Sequence, residues 1–412
     1  MPPPAKEADR GVMDLDHSGK KNKLGVVSGV YVPVCLNIIS ILMFLRFGSI
    51  LGQIGLLGIL GMFHQTALSI RRVTADKMSL GLMVIAYLVD FVTTLSLSAI
   101  ASNGEVKGGG AYYLISRSLG PEFGGSIGVL FYLAQVLNTA LNVVGLVDCL
   151  KLNLGAAMPL GYWWEYLFET LALLVCTAMC LAGSALFAKA SNALLVILTV
   201  SIVSIPISAM FLRPFQDPDL GIDFTGMSWA TLQSNLLPDT SGQHFKGLES
   251  FRQLFGILFP ATSGIFAGAS MSGDLRNPSK DIPVGTLWAM LSTLVAYLLV
   301  ILSLAATTTK ASLLSDTNII QDTNVWAPFI FAGECATTFF SALMGVIGSA
   351  KLLQALARDR LFPGLQMLGK GTKRSDEPIL AILVTYLVAQ LALFANLNQI
   401  ATFISMGYQV SL

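Results

Sequence analysis

Apolar runs long enough to cross a bilayer follow one another along this chain, separated by short polar segments. A helix crossing the hydrocarbon layer needs roughly 20 mostly apolar residues. Inside lipid every backbone N–H and C=O must find a partner within the protein, which restricts spanning structure to helices and closed barrels. Runs of this length without strand-like alternation are helices. The fold class is therefore read as an all-α polytopic membrane protein. Composition agrees, with 54% hydrophobic and 12% charged residues among 412, where soluble domains carry about 25% charged. The mean hydropathy is +0.70.

The expected spans cover residues 26–50, 124–147, 163–182, 190–212, 248–270, 284–306, 326–349, 379–395 and a last piece at 400–412. A divided run, 56–62 with 83–100, makes up the second span. The segment between its parts, 63–82, carries Arg71, Arg72, Asp76 and Lys77 and reads as an insertion into that span, or else as a genuine loop with 83–100 spanning alone. Asp90 then falls within a membrane run. It is either a working carboxylate or a neutral, hydrogen-bonded one facing the bundle. The first 25 residues are polar, begin with Pro2, Pro3 and Pro4, and are expected to be a disordered tail. Residues 26–412 are expected to form the membrane domain.

Lysines and arginines collect on one side of this topology: Lys20, Lys21 and Lys23 before span one, Lys107 and Arg117 after span two, Arg276 and Lys280 after span six, and six more between Lys351 and Arg374. The positive-inside rule makes that side, and the N-terminus, cytoplasmic. A net charge of +1 gives no basic surface for nucleic acid. The three histidines, His17, His64 and His244, stand beside no nucleophile and in no metal-ligand spacing, so an enzyme is not expected. Cys35, Cys149, Cys176, Cys180 and Cys335 read mostly as small buried hydrophobes. No cofactor is implied.

Two spans carry polar interruptions. Span one contains Asn37 and Ser40, with Arg46 near its far end. Span six runs apolar to Phe259, meets Pro260, passes through Ala261, Thr262, Ser263 and Gly264, and turns apolar again. Proline lacks an N–H and clashes with the preceding turn, so a helix is expected to break there. An ordinary proline kink beside a glycine packing contact is the plainer alternative. For Asn37 it is an interhelical hydrogen bond. Broken helices five spans apart point to an inverted-repeat transporter with its site at the midplane. Freed carbonyls would take a weakly hydrated cation such as K⁺, and the N–H groups opening each half-helix would take an anion.

At these residues the chain resembles the cation–chloride cotransporters of the amino acid–polyamine–organocation superfamily. The resemblance rests on Leu36-Asn-Ile with Phe44-Leu-Arg, on Ala99-Ile-Ala-Ser-Asn-Gly, and on the long run from Gly108-Gly-Gly-Ala-Tyr-Tyr-Leu to Phe123-Gly-Gly. Phe259-Pro-Ala with Gly264-Ile and Ser272-Gly-Asp-Leu complete it. It covers most of residues 24–400 and looks closest to a fungal, vacuolar-type branch.

The resemblance implies a LeuT-like fold of 5+5 inverted repeats, broken in helices one and six, and Cl⁻ symport with K⁺. Asn37 and Ile38 would offer K⁺ oxygens from span one, and Pro260 and Ser263 from span six. Asn142 stands where the family has a tyrosine. Chloride would meet the N–H groups of Ser40, Ile41 and Leu42, and of Gly264, Ile265 and Phe266. Arg46 and Asp148 would pair as an outer gate, or form a static buried pair. Sodium-coupled members place adjacent serines on span eight; Phe340 and Ser341 stand here, so Na⁺ independence is expected. The family continues to twelve spans and a cytoplasmic C-terminal domain, so a chain ending at Leu412 reads as truncated in span ten, with the last helices missing. A possible homodimer and a vacuolar or plasma membrane location are further implications. The alternatives are a non-transporting partner of a cotransporter and an amino-acid carrier of the same superfamily.

Overall fold

The computed structural model describes residues 24–60, 81–102, 109–155, 158–159, 161–182, 184–218, 220–238, 248–360, 364–372, 377–395 and 397–411. The tail up to residue 23, residues 63–80 of the expected insertion, Gly108 and Leu412 lie outside them.

The chain opens with one π-helical turn, Val27–Tyr31, leading into α1 (Val32–Ile38). After a break come α2 (Ile41–Leu60), α3 (Leu82–Ser102), α4 (Gly110–Leu119), α5 (Pro121–Leu154), α6 (Tyr162–Ala182) and α7 (Ser184–Phe211). A hairpin of β1 (Phe215–Asp217) and β2 (Ile222–Phe224) and a short α8 (Trp229–Ser234) lead to the second broken span. That span consists of α9 (Leu248–Leu258), a 3₁₀ turn at Phe259–Ala261, and α10 (Phe266–Ser270). Then follow α11 (Pro278–Thr307), α12 (Lys310–Ser315), α13 (Ile319–Asp322), α14 (Ala327–Arg358), α15 (Ile379–Ala392) and α16 (Leu397–Ser411).

Seven helical segments among the described residues are long and apolar enough to cross a membrane, with α15 and α16 forming a pair bent by 119°. The molecule is a multi-pass membrane protein, as its apolar runs require. Exposed leucines, valines and tryptophans along α3, α6, α7 and α11 face outward, toward where lipid lies. Span one, by contrast, is buried on every side: 89% of its most apolar stretch is inside the protein. It is the axis of the bundle rather than part of its wall.

Several boundaries differ from the sequence reading, for local reasons. Leu24 is not tail. It pairs with Leu275, its N–H bonding Asp274 O at 2.9 Å and its carbonyl accepting from Arg276 N at 3.0 Å. Leu82, placed at the end of the insertion, is buried and opens α3. Span eight runs on to Arg358, carrying Lys351 inside the helix rather than in the following loop. The first span continues through a bend at Gly55, whose φ of +70° excludes an ordinary side chain. A Cβ there would sit 2.5 Å from Leu237 O. Past the bend, Leu56 N and Leu57 N bond to Asn235 O and Leu236 O, so the freed groups are satisfied.

Candidate functional site

The helix stops at Ile38, and Ile39 is extended at φ −73°, ψ 92°. Three carbonyls lose helical partners and each meets a hydroxyl from another span. Leu36 O accepts from Thr337 Oγ1 and Ser341 Oγ, both at 3.0 Å. Ile39 O accepts from Thr337 Oγ1. Ile38 O meets the Tyr297 hydroxyl at 2.7 Å. α14 and α11 therefore hold the first break open from two sides.

The second break is built from its own residues. Pro260 occupies the start of the 3₁₀ turn, where a missing N–H costs nothing. Thr262 Oγ1 donates to Phe259 O at 3.1 Å and Ser263 Oγ to Pro260 O at 3.2 Å. Ala261 O meets the same Tyr297 hydroxyl, again at 2.7 Å. One hydroxyl thus touches a carbonyl from each broken span. It has a single hydrogen, so it donates to one carbonyl at a time.

The two breaks lie against each other, as expected from their spacing. A Cβ on Gly264 would stand 2.5 Å from Asn37 C and Ile38 N and 2.6 Å from Asn37 O. Asn37 Nδ2 reaches Gly264 O at 3.5 Å. Glycine is required here by close backbone approach, not by a special φ.

Three buried oxygens at and around the first break have no hydrogen-bond partner: Asn37 Oδ1, Ser40 Oγ and Asn142 Oδ1. Their residues are 8%, 4% and 1% exposed. Asn142 turns its amide N–H onto Asn138 O at 2.7 Å, which leaves the oxygen free to face elsewhere. One turn along α5, Gly145 lies so close to α2 that a Cβ would meet Ile41 Cγ2 at 2.7 Å. Buried acceptors without partners are rare and ask for an explanation.

Of the proposed chloride groups, the Ser40, Ile41 and Leu42 amides open α2, which runs unbroken to the bend at Gly55. The first N–H groups of a helix lack intrahelical partners and carry its positive dipole end. Gly264, Ile265 and Phe266 open only the five-residue α10, whose dipole is correspondingly slight.

Toward the membrane faces, two charge pairs flank the breaks. Arg46 and Asp148 act on each other electrostatically but do not close to an ion pair within 4.0 Å. Lys351 Nζ and Asp274 Oδ2 do, at 2.6 Å, joining α14 to the end of the sixth span. A cavity of about 270 Å³ opens beside that pair, lined also by Gly109, Ser270, Arg358 and Glu377. Nearby, buried Tyr112 on α4 donates to Asp359 Oδ2 at 2.6 Å; burial, then the carboxylate, pushes its hydroxyl up to about 12.

Residues 29–411 match the family described as amino acid permease. The chain belongs to the amino acid permease family. That family's members are transporters with a LeuT-like fold, not enzymes, as the sequence reading had it.

Its relatives carry the cotransporter resemblance. An uncharacterized transporter of Schizosaccharomyces pombe is 44% identical over 94% of this chain and 36% of its own length. Vacuolar cation-chloride cotransporter 1 of Saccharomyces cerevisiae is 43% identical over 94% of this chain and 34% of its own. Solute carrier family 12 member 9 of Danio rerio is 37% identical over 94% and 43%. The chain therefore spans well under half the length of these relatives.

Sequence reasoning missed Tyr297 and Thr337. Both sit in apolar helices, where a single Tyr or Thr reads as core. The only hint was a single polar group inside an apolar span.

Proposed function

We propose that this chain forms the transport core of a K⁺–Cl⁻ symporter that works without Na⁺. The observation that carries the reading is the pair of buried, unpartnered oxygens of Asn37 and Ser40 at the first break, with that of Asn142 about a turn along α5 from the contact of Gly145 with Ile41. K⁺ sheds water readily and exchanges it for protein oxygens. Ile38 O, Pro260 O and Ser263 Oγ stand in the same region to complete its shell. Chloride binds the open N–H groups of Ser40, Ile41 and Leu42, where cargo cation and cargo anion offset each other's charge. The second anion position, at Gly264, Ile265 and Phe266, is the weaker of the two because α10 is short.

Phe340 is fully buried and offers no oxygen. This supports independence from Na⁺. Lys351–Asp274 closes the inner side, and Arg46 with Asp148 closes the outer side when the bundle rocks. The vacuolar relative favours an internal membrane.

Purified full chain in proteoliposomes tests this. Chloride-dependent ⁸⁶Rb⁺ uptake, unchanged on withdrawing Na⁺, is the expected result. Uptake that requires Na⁺ overturns the cation assignment, and chloride-independent amino-acid uptake overturns the cargo. No flux from a folded protein that co-purifies with a sister cotransporter marks it as a partner subunit.

A further inference from the structure

One buried acid takes no part in these ion positions. Asp90 stands near the middle of α3 and is 1% exposed. Neither carboxyl oxygen makes a hydrogen bond. Among the described residues, no Lys, Arg or His nitrogen comes within 4.0 Å of it. The cations on the helices packed around α3 are Arg46 of α2, Arg117 of α4, Arg252 of α9 and Lys280 of α11, and none pairs with it.

Its neighbours have already placed their hydrogens. Tyr87, on the same helix, gives its hydroxyl to Thr293 Oγ1 at 3.2 Å, and Thr94 turns to the Met290 thioether at 3.1 Å. Tyr87 and Tyr297 are the titratable groups it acts on. Thr262 of the second break lies beside the carboxyl without hydrogen-bonding to it. Thr262 has committed its own hydrogen to Phe259 O. Its oxygen therefore has only lone pairs to offer. With these hydrogens committed, a carboxylate meets no donor among the described residues, and a buried unpaired charge is strongly disfavoured. A carboxylic acid is neutral and escapes that cost.

We propose that Asp90 is a proton-binding site, protonated in this conformation, whose release of the proton is coupled through Thr262 to movement of the sixth-span break. In that step the O–H bond breaks, its electron pair stays on the carboxylate, and the proton passes to water admitted as the break moves. Thr262 belongs to neither ion position but sits between Ala261 and Ser263, so any rearrangement of the break alters what Asp90 faces. A proton then joins the cargo cycle as a third, separately sited ion.

Infrared difference spectroscopy on the full chain in nanodiscs, wild type minus Asp90→Asn, is the direct test. At neutral pH a protonated carboxyl band is expected in the wild type and lost in the variant. Thr262→Val, with Asp90 intact, shifts that band because a methyl group replaces the hydroxyl beside the acid; this arm serves equally if Asp90→Asn does not fold. Absence of the band at neutral pH, or its appearance only when K⁺ and Na⁺ are removed, overturns the proposal. The transport arm rests on the symport reading: ⁸⁶Rb⁺ flux varies with pH in the wild type and becomes pH-independent in Asp90→Asn. An identical pH profile in both overturns the coupling. If no chain shows chloride-dependent flux, the symport reading fails while the infrared arm still decides Asp90.

Discussion

Replacing Gly264 by alanine tests whether contact between the two breaks matters for transport. The added Cβ would lie 2.5 Å from Asn37 C and Ile38 N, whereas carbon atoms rest at about 3.5–4.0 Å. Main-chain atoms cannot rotate away, so the breaks must separate by roughly 1 Å. Forcing extra volume into a packed core costs about 1–3 kcal/mol, and a 1 Å displacement of positioned groups can cost about 100-fold in rate. Chloride-dependent ⁸⁶Rb⁺ flux is therefore expected to fall by about 100-fold, with thermal stability in detergent lowered as well. Gly256, on α9, provides the matched control, since its Cβ would meet nothing closer than Thr402 at 3.9 Å. Gly256→Ala in a helix interior should gain up to about 1 kcal/mol of stability and leave flux near wild type. Equal flux in Gly264→Ala and wild type would refute the argument that the two breaks work as one site.

Three further outcomes follow from the same geometry. Tyr297→Phe leaves Ile38 O and Ala261 O without their shared hydroxyl; an unpartnered buried carbonyl costs about 1–3 kcal/mol, so the KM for Rb⁺ should rise about 5- to 150-fold, and an unchanged KM would remove Tyr297 from the site. Single substitutions Lys351→Asp or Asp274→Lys replace the 2.6 Å ion pair by two like charges and should depress flux, while the double swap restores much of it; failure of the double variant to exceed either single one would show the pair is not coupled. Burial, reinforced by the neighbouring carboxylate of Asp316, raises Asp322 to about 6. Since its folded-state value exceeds the unfolded value of about 3.9, its stabilising contribution is full below that value and is lost as pH rises through about 6. Melting temperature should accordingly fall between pH 5 and pH 7 in the wild type and fall less in Asp322→Asn, measured side by side.

What could be read from residues alone was set by where backbone chemistry leaves a mark. Proline by itself does not: Pro206 and Pro283 lie inside continuous helices, whereas the span at Pro260 breaks because Thr262, Ser263 and Gly264 follow it. Thr262 and Ser263 can bond back to carbonyls three residues earlier, and they do so. The bend at Gly55 was hidden among glycines at 48, 52 and 58, which adopt no positive φ. Only the approach of Leu236 and Leu237 from a distant segment distinguishes it. Tyr297 was illegible for a related reason. Its partners are main-chain carbonyls of Ile38 and Ala261, and a carbonyl has no sequence identity to covary with or to match. Asn142 shows the converse: its departure from tyrosine was visible in the sequence, yet only the fold shows that the amide nitrogen is held by Asn138 while the oxygen is left over. A site made of main-chain dipoles is therefore announced by the residues that break helices and completed by residues that the sequence cannot separate from core.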